Sequence, residues 1–474
     1  MSESSGAPTA AGGEVAVSLY EVHKTIHIRA VKGWFATWRW VMVWFTQLIY
    51  YGLCWVPWNG RQAVLFDLVE RKFYIFGLVF WPQDVIYLAV LLIIAAYCLF
   101  MFTAIGGRLF CGYACPQTVY TQIFMWVEAK IEGERNARLK LDAAPPSAHK
   151  LARKVAKHGV WLLIALWTGF TFVGYFTPMR TLLGEIETWA LGPWETFWIF
   201  FYGFATYGNA GWMREQVCKH MCPYARFQSA MFDRDTLIVT YDAARGEPRG
   251  SRAKTADHRG GGLGDCVDCG ICVQVCPTGI DIRKGLQYEC IGCSACIDGC
   301  DQVMDKMGYA RGLVRYSTEH ALERGWGRAE IIQRIRRPRI IIYSVILVLI
   351  VIAAGYGLAT RAALKVDVIR DRKNLGQLEE GGMVENAYKL QIMNISEMPH
   401  TYLIRASGLD GIDINHQQEI EIPVPPLTTQ SLFVDVYAPV ESGKKGSNRI
   451  YFDVKSVDGD ARSAVHEKAT FLIP

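Results

Sequence analysis

The chain has 474 residues, 51% hydrophobic and 20% charged, with a formal net charge of +5. That length allows two or three domains, and so small a positive balance gives no basis for nucleic-acid binding. The apolar residues are gathered in windows of about 18–21 residues instead of spread through amphipathic elements, which excludes an ordinary soluble protein.

The first 18 residues, through Ser18, are rich in Gly, Ala and Ser and are expected to be disordered. No charged start, short apolar core and small-residue cleavage site open the sequence. No cleavable signal is therefore expected, and residues 1–33 form an N-terminal arm that stays on the cytoplasmic side. Five spanning helices are expected, at about Ala36–Val56, Val85–Ile105, Gly159–Phe176, Pro193–Trp212 and Ile340–Ala359. Each is near the ~20 residues that cross a bilayer. Trp34, Trp38, Trp40, Trp55, Trp58 and Trp81 crowd the ends, as in interfacial belts. The fourth is the least apolar, broken by Glu195, Asn209 and several glycines. Lys and Arg number four up to Arg39, three in Pro57–Asp84, nine in Gly106–His158, one in Thr177–Gly192 and twenty in Met213–Arg339. Positive residues stay inside. The alternation therefore puts the N-terminus and the large 213–339 segment in the cytoplasm and the C-terminal tail in the periplasm of a multi-pass inner-membrane protein. Arg334, Arg336, Arg337 and Arg339 anchor the fifth span.

The domains expected are a membrane region at 34–235, a cytoplasmic ferredoxin-like domain at 236–339, the fifth helix at 340–359 and a periplasmic domain at 360–474. In fold terms these are a five-helix transmembrane bundle, a small α+β two-cluster ferredoxin domain and an all-β sandwich. The tail earns its assignment from runs that alternate apolar and polar residues: Tyr388–Ile395, His400–Ala406, Gln418–Val424, Ser431–Tyr437 and Arg449–Val457. Turn signals at Gly411, Pro425–Pro426, Ser442–Gly443 and Asp458–Gly459 separate them, and the length suits about seven strands.

Fourteen cysteines are present, and none follows Cys300. Twelve sit in short regular clusters, so they point to metal ligation in a reducing compartment and not to a disulfide framework. The sharpest signal is Cys266-x2-Cys269-x2-Cys272-x3-Cys276-Pro277, repeated as Cys290-x2-Cys293-x2-Cys296-x3-Cys300. Two such runs form the bacterial pattern for a pair of [4Fe–4S] clusters, in which the fourth cysteine of each run serves the other cluster. Cys266, Cys269, Cys272 and Cys300 are thus expected to hold one cluster, and Cys290, Cys293, Cys296 and Cys276 the other. Asp301 stands where a proline closes the usual run, without removing a ligand. Zinc sites use isolated pairs at longer gaps. Gly260–Gly264 is read as a flexible lead into this domain and not as a dinucleotide loop.

Cys111-x3-Cys115-Pro116 and Cys218-x3-Cys222-Pro223 follow the second and fourth spans, each after an arginine, Arg108 or Arg214. The match makes the span pairs a parallel internal repeat, and such repeats place sites at their junction. On a continuous helix the spacing would bring both sulfurs of a pair to one face. Four convergent thiols would suit Cu(I), zinc, an iron–sulfur cluster or dithiol chemistry, with His220 and Met221 as neighbouring soft donors. The alternative is that Cys-Pro ends each helix. Cys54 and Cys98 lie inside spans and are read as buried small hydrophobes. His23 and His27 are read as interfacial, and Met393, Met398 and His400 as ordinary residues of the tail.

Beyond these spacings, the chain from Val31 onward resembles the CcoG/FixG/RdxA family of accessory proteins for cbb-type cytochrome c oxidase. The resemblance is carried by Arg71-Lys-Phe-Tyr-Ile-Phe-Gly77, Phe80-Trp-Pro-Gln-Asp84, Cys111 through Thr118, Phe124-Met-Trp-Val-Glu128, Cys218 and Cys222 with Pro223 through Gln228, and both cysteine runs. It implies an immunoglobulin-like tail and a cupric reductase that supplies Cu(I) for the oxidase copper centre. Cys111, Cys115, Cys218 and Cys222 would be its copper-handling or redox thiols. Implied partners are membrane lipid, copper ions, oxidase assembly factors or copper chaperones, and a cytoplasmic electron donor. Two rivals are a conduit between a cytoplasmic donor and membrane quinone, and a non-enzymatic assembly scaffold.

Overall fold

The computed structural model describes residues 26–254, 262–379, 382–457 and 464–474. The Gly/Ala/Ser-rich start, His23, Gly260–Gly261 and the Asp458–Gly459 turn lie outside the described residues. The chain forms two compact units, each built from three separate stretches.

Among the described residues, three helices are long and apolar enough to cross a membrane, not five: Pro82–Gly106, Ala148–Val173 and Pro338–Ala359, of 25, 26 and 22 residues. The first expected span is a 19-residue helix, Trp34–Gly52, but Arg39, Gln47 and a run of Trp and Tyr dilute its apolar character. The fourth is only 15 residues, Pro193–Tyr207, and then widens into a π-helical stretch, Gly208–Met213, where Gly208, Asn209 and Gly211 interrupt it. The third begins eleven residues earlier than the expected Gly159, because basic residues from Lys150 to Lys157 extend the helix below its apolar part.

The first unit comprises residues 1–46, 102–168 and 200–335. Its helical part is centred on Phe124 stacked on Trp161, with ring centroids 5.2 Å apart, and the Trp161 indole N–H donates to the Phe124 carbonyl at 3.0 Å. A Cβ on Gly211 would stand 3.2 Å from the Trp161 ring, so any side chain there would press on the indole. Below it lies a buried ionic network. Glu128 accepts from Arg138 at 2.8 Å and Arg214 at 3.2 Å, and Glu132 pairs with Lys157 at 2.9 Å and Lys154 at 3.0 Å. His27 belongs to the same edge, 3.4 Å from Asp142. The ferredoxin-like part is α+β: an antiparallel pair, Ile238–Tyr241 with Val314–Ser317, packs on the helix Ala295–Met307. Val239, Tyr241, Ile282, Ile297, Met304 and Leu313 fill its core together with Cys266, Cys272 and Cys300.

The second unit comprises residues 47–101, 169–199 and 336–474. Its tail is an eight-stranded sandwich. One sheet runs Ile420–Val424, His400–Ser407, Gly446–Ser456, Ala464–Ile473, and the other Asp413–Ile414, Thr429–Pro439, Met383–Asn394, Leu364–Leu378. The strand beyond the expected seven reflects the two-residue Asp413–Ile414 ribbon, too short to show periodicity. Tyr388, Tyr402, Phe452 and Phe471 face inward and are buried, with the Tyr388 and Phe452 rings 5.3 Å apart between the sheets. Residues 360–363 alone separate the Pro338–Ala359 helix from the first strand. At that junction buried Asp84 accepts from Arg361, Lys365 and the Trp81 N–H. Met393 is buried, Met398 is exposed and His400 packs on Tyr402. Cys54 lies in an apolar cluster with Phe170, Val173, Met179 and Leu182, and Cys98 is half-buried.

Candidate metal-cluster and thiol site

Both cysteine runs bend by the same device. In the first, Asp268 and Gly270 flank Cys269 with φ of +50° and +64°; in the second, Gly292 and Ser294 flank Cys293 with φ of +66° and +59°. Two left-handed residues around the middle cysteine curl the backbone about one point. In the second run the Gly292 amide reaches the Cys290 thiol and the Ala295 amide the Cys293 thiol, as clusters require of the loops that hold them. Only one residue of each pair is glycine, so Asp268 and Ser294 carry a strain that their sequence does not advertise. A helix starts directly after each curl, Ile271–Gln274 and Ala295–Met307, and carries the chain to Cys276 and Cys300.

The sets come together crosswise. Burial pushes the Cys300 thiol up to about 12, and its negative neighbours include Cys272, Cys269 and Cys266. Burial pushes Cys290 up to about 12 beside Cys293 and Cys276. Cys296 is raised by burial, with Cys293, Cys290, Cys276 and also Cys272 around it, so the two sets lie side by side. A cavity of about 20 Å³ is walled by Cys276, Cys290, Cys293, Cys296 and the apolar Ile280 and Ile291. Eight soft sulfur donors, amides that reach sulfur and an apolar wall fit a pair of cubanes. Among the described residues no three His, Cys, Asp or Glu side chains are gathered into a closed metal site. Both thiol groupings therefore rest on shared neighbourhood and not on preformed coordination.

The four remaining thiols converge as well. Burial pushes Cys111 up to about 12, with Cys115, Cys218 and Cys222 adding and Arg108 opposing. Burial pushes Cys218 up to about 11 beside Cys115 and Cys222. The pairs do not lie on continuous helices, however. Cys111 is in the helix Leu109–Tyr113, whereas Cys115 is extended (ψ 128°) and caps the next helix, Pro116–Ile131. Cys218 sits in a π-helical turn, Val217–Met221, and Cys222 (ψ 109°) caps Pro223–Met231. A proline disfavours helical ψ in the residue before it and is at home at the first helical position. Cys-Pro here therefore starts a helix instead of ending one. The Cys111 thiol donates to Gln228 at 3.2 Å. His220 and Met221 are exposed.

The two thiol groups touch. A Cβ on Gly112 would stand 2.9 Å from the Gly292 carbonyl and 3.0 Å from the Cys293 Cα, so the helix of Cys111 lies backbone-to-backbone on the second cysteine loop. Cys111 and Cys218 pack into one apolar cluster with Ile291, Cys293 and Cys296. Nothing in the Cys111–Cys115 motif signals this contact, because Gly112 meets residues 180 positions away.

Known families match these parts of the chain. Residues 88–133 match the 4Fe-4S binding domain family, 213–319 the 4Fe-4S dicluster domain family, and 354–474 the family described as the IG-like fold at the C-terminal of FixG. The chain is 39% identical over 434 residues to the nitrogen fixation protein FixG of Rhizobium meliloti, covering 85% of this chain and 83% of that one. It is 36% identical over 445 residues to protein RdxA of Cereibacter sphaeroides, covering 92% and 94%. A crystal structure of a FixG-related protein from Vibrio parahaemolyticus matches 23% of this chain and 96% of its own at 22% identity, with a TM-score of 0.21. Apolar helices, a two-cluster ferredoxin domain and an immunoglobulin-like tail define a membrane iron–sulfur electron-transfer protein. The chain belongs to the FixG/RdxA family.

Proposed function

We propose that the protein reduces Cu(II) to Cu(I) at Cys111, Cys115, Cys218 and Cys222, with electrons delivered through the cysteine-held clusters, and hands the cuprous ion on for assembly of a cbb-type oxidase. Cys266, Cys269, Cys272 and Cys300 hold one cluster, and Cys290, Cys293, Cys296 and Cys276 the other, on the cytoplasmic side. The clusters supply one-electron transfer, which matches a one-electron change at copper. The observation that carries the reading is the direct packing of Gly112 on Gly292, with Cys111 and Cys218 in one apolar cluster with Cys293. Soft sulfur favours Cu(I) over Cu(II), so the same thiols assist reduction and hold its product. The periplasmic sandwich docks assembly partners. To test the reading, all four thiols are changed to Ser and cupric reduction by the cluster-loaded protein is followed. The variant is expected to lose it, and undiminished turnover removes these cysteines from the scheme.

A second reading draws on the match of residues 88–133, around Cys111 and Cys115, to a 4Fe-4S binding family. In it the four thiols are the complete ligand set of a third cubane. Iron analysis separates the two: about eight iron atoms per chain for two cubanes, about twelve for three.

A further inference from the structure

The charges around the two cysteine sets are unlike. Arg39 projects from the helix Trp34–Gly52, is nine-tenths buried, and makes no hydrogen bond or ion pair among the described residues. It shares a cavity of about 30 Å³ with Cys293, Ile291 and Cys218, whose lining also includes Arg214 and the buried Glu215 carboxylate, to neither of which Arg39 is bonded. Its charge acts on the Cys293 thiol. Arg108 is also buried, donates to the Ala225 carbonyl, and has no carboxylate partner among the described residues. Its backbone carbonyl lies 3.2 Å from where a Cβ on Gly292 would be, and its charge reaches Cys290 as well as Cys111 and Cys218. Two buried guanidiniums thus face the second set. Glu289 precedes Cys290 in sequence, and the Asp298 carboxylate is turned to the Phe35 and Ala36 N–H groups.

Around the first set three cations, Arg283, Arg245 and Arg249, are paired with carboxylates, and the fourth, Arg252, is only half-buried. Arg283, beside Cys272, is bonded by both Nε and a terminal nitrogen to Asp281 at 2.8 Å and also to Asp268. Arg245 is tied to Asp265 at 2.6 Å, and Arg249 lies between Glu247 and Asp268. Arg252 donates to the carbonyls of Gly264 and Cys266. Asp301 adds a negative neighbour to Cys300.

We infer that Arg39 and Arg108 make the cluster held by Cys276, Cys290, Cys293 and Cys296 the easier of the two to reduce, so that electrons are drawn from the first set toward the membrane-edge thiols. Reduction adds one negative charge to a four-thiolate cluster. A cation not bonded to a carboxylate favours that added charge more than one already paired with two carboxylates. Exposed Cys269 lets water solvate the first set, which opposes the difference. Buried charges are screened far less than exposed ones, so the guanidiniums prevail. Arg39 and Arg108 are positioning residues here, acting through the cluster ligands. The inference rests on the cluster assignment, and it stands or falls independently of copper.

The test is a redox-poised EPR titration of the full-length, anaerobically purified protein without copper. Two one-electron midpoints are expected. Arg39→Gln should lower the upper one by at least tenfold in equilibrium constant, about 59 mV for one electron, and leave the lower one in place. Arg39→Lys should restore most of the shift. If Arg39→Gln fails to load iron, Asp301→Asn provides the reciprocal measurement and should raise the lower midpoint alone. A shift of the lower midpoint by Arg39→Gln, no shift in either, or a rise of the upper midpoint in Asp301→Asn overturns the inference. Loss of cupric reduction in the four-thiol variant with both midpoints unmoved would bear only on the proposed function.

Discussion

Asp298 sits between Cys296 and Cys300 in sequence, yet its carboxylate caps the first long helix. It accepts from the Ala36 N–H at 2.7 Å and from the Phe35 N–H at 3.3 Å. Gly33 allows this approach, because a Cβ there would meet the Asp298 Cγ at 2.4 Å. Asp298→Ala removes a cap, a loss of about 1 kcal/mol. It also strands a buried N–H, at about 1–3 kcal/mol more. The start of the Trp34–Gly52 helix should therefore open more easily by about 2–4 kcal/mol, a rise of about thirty-fold or more in the open population. Tryptic cleavage after Lys32, read by mass spectrometry on the cluster-loaded protein, tracks that population when reclosing outpaces cleavage. Asp298→Asn, which keeps an acceptor oxygen, should stay within about 1 kcal/mol of wild type, and Gly33→Ala should resemble Asp298→Ala. Equal cleavage of wild type and Asp298→Ala would refute the capping argument.

Gly112→Ala should drive Gly292 and Cys293 away from the thiol helix, and iron analysis should then show loss of the second cluster ahead of the first. Glu128→Gln leaves Arg138 and Arg214 without their shared anion and should lower stability by about 3–5 kcal/mol, seen as an earlier thermal transition by circular dichroism. In the sandwich, burial alone would raise Asp453, but the Ser407 hydroxyl at 2.6 Å and His466 hold it below the ordinary carboxylate range. A carboxylate depressed in the folded state stabilises above its unfolded pKa and loses that contribution as pH falls through the folded one. Acid should therefore weaken the sandwich more steeply in wild type than in Asp453→Asn, in denaturation midpoints collected over a pH series.

The cysteine runs were legible because ligand spacing is a local property, and so were the alternating strands of the tail. Trp34–Gly52 was legible as a helix, but its Arg39 was read merely as part of a positive flank. Nothing near Arg39 in sequence reveals that Cys293, more than 250 positions later, lies beside it. The break within each C-x3-C pair could have been anticipated from Pro116 and Pro223, whose rings disfavour a helical Cys115 and Cys222. The π-helical turn at Val217–Met221 had no such signal, since no propensity separates it from an ordinary helix. The carboxylate on Arg361 and Lys365 was equally hidden, because Asp84 reads locally as the start of an apolar helix.

That last clasp has a mechanical meaning. Asp84 opens the apolar helix ending at Gly106, and it grips both the junction and the first strand of the sandwich. A protein that tugs on the sandwich would load two rods at once, the Pro338–Ala359 helix by its covalent link and the other through a carboxylate hinge pin. The second rod leads, five residues past its end, to Cys111.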